Sequence, residues 1–182
     1  MTRARTIANF GDGIATADIG DGQITTAKIA SDAITDALLP AGSVLQVVQN
    51  STTTAASTTS STYANLGDLD ASITPTSASS KILIFLSVPV NGDADNDTFD
   101  IFGQFKIVAT SGGDRDVFES ASGRLSKGGQ GRFWSWSPVV EDSPNTTSTV
   151  SYRFFYKRTS GNASLQVNNT QTATIALMEI SG

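Results

Sequence analysis

The chain contains no cysteine and no histidine. The first absence removes disulfides, thiolate nucleophiles and cysteine-based zinc sites. The second removes imidazole, and with it the commonest general base and any Ser-His-Asp arrangement. Charge is scarce: 16% of the 182 residues are charged, the formal net charge is −5 and the pI is about 4.5. Nucleic-acid binding needs clustered Lys and Arg. Residues 1–40 hold three basic residues against five acidic ones, so neither that segment nor the remainder is a basic arm. No nucleic-acid partner is expected. Long apolar runs are missing too. The longest, Ile82 to Leu86, is far short of the roughly 20 residues that span a bilayer, so no membrane insertion is expected. The opening residues, MTRARTIANFGDG, show no apolar h-region and no secretory signal is expected. The lack of cysteine fits assembly in a reducing cytoplasm.

What is there begins with a repeat. Residues 11–40 read GDGIATADIG, DGQITTAKIA, SDAITDALLP. The fourth place of each decad is Ile14, Ile24 or Ile34, the seventh is alanine, and the ninth is Ile19, Ile29 or Leu39. A large aliphatic residue every five positions matches neither the 3.6 period of a helix nor the 2 of a strand. Repeated units that cannot bury their apolar face alone need neighbours. The nearest ones are copies of the same chain around a symmetry axis. Ile14, Ile19, Ile24, Ile29, Ile34 and Leu39 are the expected axial residues. Near the start, Arg3 and Arg5 are candidate contacts to an acidic surface and Phe10 a candidate apolar plug.

A Pro/Gly break at Leu39-Pro40-Ala41-Gly42 predicts a boundary between residues 1–41 and 42–182. Beyond it the period becomes two. Strands are predicted at Ser43–Gln49, Ala71–Thr74, Lys81–Val90, Phe99–Val108, Asp116–Ala121, Arg132–Val140, Thr149–Arg158, Ala163–Val167 and Thr172–Ile180. Residues 51–62, rich in Ser and Thr, read as a loop or a polar edge. In Lys81–Val90 both faces are apolar, which predicts burial from both sides, with Pro89 at an end or on an edge. Eight or nine short strands with no long helical pattern predict an all-β fold: a jelly-roll-like β-sandwich preceded by an extended stalk.

Candidate chemistry is sparse, and the sequence calls for no cofactor. Asp93, Asp95 and Asp97 alternate, as oxygen ligands of calcium can. Thr98 and Gln104 nevertheless stand where the EF-hand pattern needs Gly and Glu, so a solvated hairpin turn is the favoured reading. Gly123–Gly131 lacks the Gly-Lys-Ser/Thr ending of a phosphate loop and reads as a hairpin loop. The acidic residues cluster in turns, so no glycosidase-like pair is expected and no catalysis. Trp134, Trp136, Tyr152 and Tyr156 are the candidate glycan contacts, against an alternative in which alternation aims them into the core.

Ile24-Thr-Thr-Ala-Lys-Ile29, with the neighbouring Asp12-Gly13-Ile14 and Ser31-Asp32-Ala33-Ile34 units, resembles the stalk repeats of bacteriophage tail fibres, particularly in phages of marine bacteria and cyanobacteria. The second part is similar to their C-terminal modules at Gly42-Ser-Val-Leu-Gln-Val-Val, at Ile73-Thr-Pro-Thr-Ser-Ala-Ser-Ser-Lys-Ile-Leu-Ile and at Ala176-Leu-Met-Glu-Ile180. The resemblance implies a homotrimeric, non-catalytic virion protein, exposed on the particle and contacting other virion proteins through its N-terminus. Its head would adhere to a host-surface glycan or protein. The stalk has only three units, so a capsid fibre or decoration protein with a stabilising role is the alternative.

Overall fold

The computed structural model describes residues 38–93, 101–127, 130–131, 133–161, 163–169 and 171–182, together with 19–20, 23–25 and 29. The chain divides into two units, Met1–Leu38 and Leu39–Gly182. In the first, Gln23 N donates to Gly20 O and Gly20 N to Gln23 Oε1, both at 3.1 Å, where one decad gives way to the next.

The second unit is all-β, with one 3-10 turn at Gly67–Leu69. Its strands are β1 (Val44–Thr52), β2 (Ala56–Thr58), β3 (Ala64–Asn65), β4 (Ala71–Ile73), β5 (Lys81–Asp93), β6 (Ile101–Thr110) and β7 (Asp114–Glu119). They continue as β8 (Gly123–Lys127), β9 (Gln130–Gly131), β10 (Phe133–Trp136), β11 (Val139–Asp142), β12 (Val150–Ser160), β13 (Ser164–Val167) and β14 (Ala173–Ile180). All pairings are antiparallel and fall into two sheets. In sheet I, β5 is paired along both edges. One edge carries β14 at Lys81–Ser87 and β13 at Val90–Asp93; the other carries β11 at Ile82–Phe85 and β10 at Val88–Asn91. Outside β14 and β13 lie β1 and β2. In sheet II, β12 and β6 are the paired centre, flanked by β3 and β4 on one side and by β7 and β8 on the other, with β9 beyond β8.

Strands that continue one another form a single lane, and there are eight lanes in chain order: β1/β2, β3/β4, β5, β6, β7/β8, β10/β11, β12 and β13/β14. Sheet I runs 1-8-3-6 and sheet II 2-7-4-5, the interleaved double Greek key of a jelly-roll-like sandwich. The strand β14 is interior to its sheet, between β1 and β5. The predicted strands correspond to these lanes, but the lanes are broken. Arg132–Val140 is two strands, because Ser137-Pro138 interrupts the ladder. Residues 51–62 combine loop with a polar edge, as the composition suggests: β2, at the edge of sheet I, lies among them, and Thr54, Ser60 and Thr62 each donate a backbone N–H to the hydroxyl two residues earlier. Gly123–Gly131 carries the antiparallel pair β8 and β9, in keeping with the hairpin expected there.

Pro89 corrects a second expectation. It sits in the interior of β5, buried, not at an end or an edge. Its carbonyl faces lane eight and accepts from Asn168 N at 3.0 Å, so its missing N–H faces that lane too. That is where β13 ends. Asn168 takes a left-handed conformation (φ 57°) and is fully buried, and its amide Nδ2 donates to Thr52 O and Thr54 O, across the break between β1 and β2.

One core lies between the sheets. Ile82, Ile84, Leu86, Val88 and Val90 of β5 face Phe105 and Ile107 of β6 and Phe154 and Tyr156 of β12. Burying each aliphatic side chain stabilises by about 1.5–3 kcal/mol before entropy. The outward residues of β5 are not buried from the other side: Phe85 is exposed and Leu83 half-buried, so the expected double burial fails.

Two buried carboxylates close the sandwich. Asp142, on β11 of sheet I, accepts both guanidinium nitrogens of Arg115 (β7) at 2.8 Å and the Tyr152 hydroxyl (β12) at 2.7 Å, both from sheet II. Glu179 points inward from β14 and accepts from Thr76 N (2.7 Å), Thr76 Oγ1 (2.8 Å) and Gln46 Nε2. Burial works to raise both carboxyls, but these hydrogen bonds outweigh it and hold each below the ordinary carboxylate value. Burial, and then the bond to Asp142, push the Tyr152 hydroxyl up, so it stays a donor.

Because both carboxyls have lower values folded than unfolded, the unfolded chain takes up their protons first. The stability they add is present above about pH 4 and is lost as pH falls through the folded values. Asp70, raised by burial, opposes this slope. The melting temperature should hold level near neutrality and fall below about pH 4. Asp142→Asn and Glu179→Gln should lower it at pH 7 and flatten the acid limb; an unchanged limb in both would refute the assignment. Glu179→Ala should cost about 2–3 kcal/mol by urea denaturation, since it empties a fully buried position and removes the bonds to Thr76 and Gln46.

Candidate functional site

Trp134 and Trp136 share the inward face of β10, registered against Val90 and Val88. β10 is an edge strand, so rings that point inward reach the open side of the sandwich rather than its middle. Trp136 lies within 5.2–5.9 Å, centroid to centroid, of Phe105, Phe154 and Phe118. Trp134, two residues earlier, has no such cover among the described residues and is 52% exposed. Together they wall a cavity of about 180 Å³, floored by Val90, Phe105 and Leu125 and rimmed by Ser120 and Arg124. The Arg124 guanidinium lies 5.5 Å from the centroid of the Phe102 ring.

Tyr152 and Tyr156 do not join this site. Both point inward from the central strand β12 and are buried, because the alternation of Val150, Tyr152, Phe154 and Tyr156 puts all four on the core face. Tyr152 serves Asp142. Of the four aromatic candidates, only Trp134 offers a ring face to solvent, with Trp136 beneath it. The arrangement suits a small amphipathic ligand: an apolar ring face stacks on indole while hydroxyls meet serine and guanidinium at the rim.

A second concavity, about 470 Å³, opens between the β6–β7 hairpin and the β11–β12 loop and includes Ser111, Gly113, Asp114, Arg115, Pro144 and Thr146. Its charges are committed elsewhere. Arg115 holds Asp142, and Asp114 accepts from Thr110 Oγ1 and from Arg153. The Asp114 carboxyl is held below its ordinary value by Thr110 first and by Arg153 second. What is left is a hydroxylated hollow with no uncommitted charge among the residues just named.

Among the described residues no three acidic side chains come together to hold a metal ion. Asp93 ends β5, while Asp95 and Asp97, the other candidate calcium ligands, lie outside the described residues. So do Arg3, Arg5, Phe10, Ile14 and Ile34. Ile19, Ile24 and Ile29 are described, and are 40%, 55% and 43% exposed in the single chain; Leu39 is half-buried. No helix among the described residues is long and apolar enough to cross a membrane.

The buried carboxylates Asp142 and Glu179, each with its own partners, were missed in the sequence, though for Glu179 one signal was present. Ala173, Ile175, Leu177 and Glu179 form one alternating row, and that parity alone turns the carboxylate inward.

No family model matches the sequence, and no curated protein matches it significantly. Among solved structures it is similar to T=1 particles derived from infectious bursal virus, with a TM-score of 0.38 and 12% identity over 75% of this chain and 36% of that one. It is similar to the Gx strain of infectious bursal disease virus (TM-score 0.37, 12% identity, 75% and 36% covered) and to the VP2 subviral particle of that virus (TM-score 0.36, 10% identity, 75% and 38% covered). The chain spans little more than a third of the length of these proteins, and at such TM-scores the likeness carries no functional argument.

Proposed function

We propose that this chain is a virion structural protein: a short trimeric fibre of bacteriophage type that attaches to the particle by its N-terminus and displays the jelly-roll-like sandwich for host-surface adhesion. The observation that carries the proposal is the state of Ile19, Ile24 and Ile29. Five residues apart, each leaves 40% or more of its surface exposed in one chain. Exposed isoleucines at a fixed spacing are the residues that three parallel copies would bury. The likeness of the decads to phage stalk repeats supports the same reading.

The chain is taken as non-catalytic. Its buried carboxylates, Asp142 and Glu179, are both committed to structural partners. The Trp134 cavity supports adhesion, because it joins a half-exposed indole to a small concavity with a polar rim.

Ile24→Asp combined with Ile29→Asp should convert trimers into monomers by light scattering; trimers that persist would refute axial packing. Deleting residues 1–40 should leave particles undecorated, and full decoration by the truncated chain would move the anchor elsewhere. Trp134→Ala should abolish binding to host cells while changing stability by less than about 1 kcal/mol. Trp136→Ala should cost about 3 kcal/mol, as expected for a large aromatic removed from packed rings. Adhesion unaffected by Trp134→Ala would remove the cavity from the reading.

A further inference from the structure

The outer faces of the two sheets are chemically opposite. That of sheet II is charged and internally paired: Lys106 bonds Asp116 at 2.8 Å, Arg153 bonds Asp114, and Lys157 lies 4.2 Å from the centroid of the Tyr63 ring. Such a face is complete in water. Sheet I is different. Registered pairs run Val47–Met178–Leu83 across three lanes and Ala176–Phe85–Val139 across the next row. Val47 is 57% exposed, Phe85 38% and Val139 63%. A contiguous exposed patch of this kind marks a contact surface.

Three features select the occupant. First, the pair nearest the patch, Lys81 with Glu141 at 2.7 Å, is closed on itself. The face therefore meets a copy of itself without like-charge repulsion and offers nothing to an anionic partner. Second, the patch is polarised along the strands. Beyond Phe85 the outward positions become Ser87, Thr174 and Ser135, and Ser87 bonds Ser135. Its apolar end reaches Val44 and Ile180, which are paired where the chain enters the sandwich; Gly42 N donates to Ser181 O and Ser181 N to Ser43 O there. Third, the unit Met1–Leu38 lies ahead of that point in the chain and carries the exposed Ile19, Ile24 and Ile29. Copies joined through those residues bring their Leu39–Ser43 ends together, and with them the apolar end of each face.

We infer that the outer face of sheet I, centred on Val47, Leu83, Phe85, Val139 and Met178, is the surface by which the sandwich packs against a second copy of this chain. The inference rests on the trimeric reading above and adds to it the side of the head that is hidden. It leaves the charged face of sheet II and the Trp134 cavity outward, where a ligand reaches them.

The absence of cysteine makes the test direct. Phe85→Cys and Val139→Cys are made singly in the full chain, with Ser111→Cys in the exposed β6–β7 hairpin as the reference, and native thiols are labelled with a maleimide while the mass is read by light scattering. The expected result is a trimer in which Cys at 85 and 139 reacts about tenfold or more slowly than Cys at 111. The protection should vanish when Ile24→Asp and Ile29→Asp are added. A trimer in which both positions label as fast as the reference overturns the inference and leaves the fibre reading standing. A monomer overturns both. Protection that survives in the monomeric variant assigns the cover to the same chain and overturns the second copy as occupant.

Discussion

Thirteen residues of one strand hold this sandwich together. β5 is paired on both edges along its length, and its inward row supplies Ile82, Ile84, Leu86, Val88 and Val90 to the core. Every other lane of sheet I is interrupted, and the interruptions are tolerable because β5 is continuous. Leu86 N reaches Pro138 O across one break, and Pro89 O receives Asn168 N at another. A proline in the middle of a sheet leaves one donor missing. Here the partner lane parts at the place where no donor is available, and buried Asn168 returns the lost bonding to the carbonyls of the neighbouring lane.

Around that strand the polar chemistry is spent on structure. Asp142 joins the sheets through Arg115 and Tyr152, and Glu179 ties β14 to β1 and to the segment leading into β5. Each carboxylate is buried only because every bond it makes is to a donor already fixed by the fold; without them, desolvation would favour the protonated acid. The consequence for function is economy. The 470 Å³ concavity has its charges neutralised from within, and the half-exposed indole of Trp134 lies on an edge strand of sheet I.

The two outer faces divide the remaining labour. A charged, self-paired surface on sheet II and an aliphatic one on sheet I arise from the same period-two rule, with different residues at the outward positions. Ile19, Ile24 and Ile29 of the first unit and the outer face of sheet I have the same deficit, apolar surface that a single copy leaves exposed.

By itself the sequence determined the lanes. The central lanes carry an alternation that reads directly: Tyr152, Phe154 and Tyr156 against Arg153, Phe155 and Lys157, or Ile175, Leu177 and Glu179 against Ala176 and Met178. It also determined the limits on chemistry, since residues that are absent cannot act. The tertiary structure decided which partner each polar group found. Asp142 meets Arg115 and Tyr152 from the facing sheet, and nothing in local spacing reports a contact across two layers. It decided as well that Trp134 is open while Tyr152 is sealed, although both sit on inward positions. Alternation fixes the face of a side chain, whereas its exposure depends on how far the opposite sheet extends, and that is set by the whole assembly of strands.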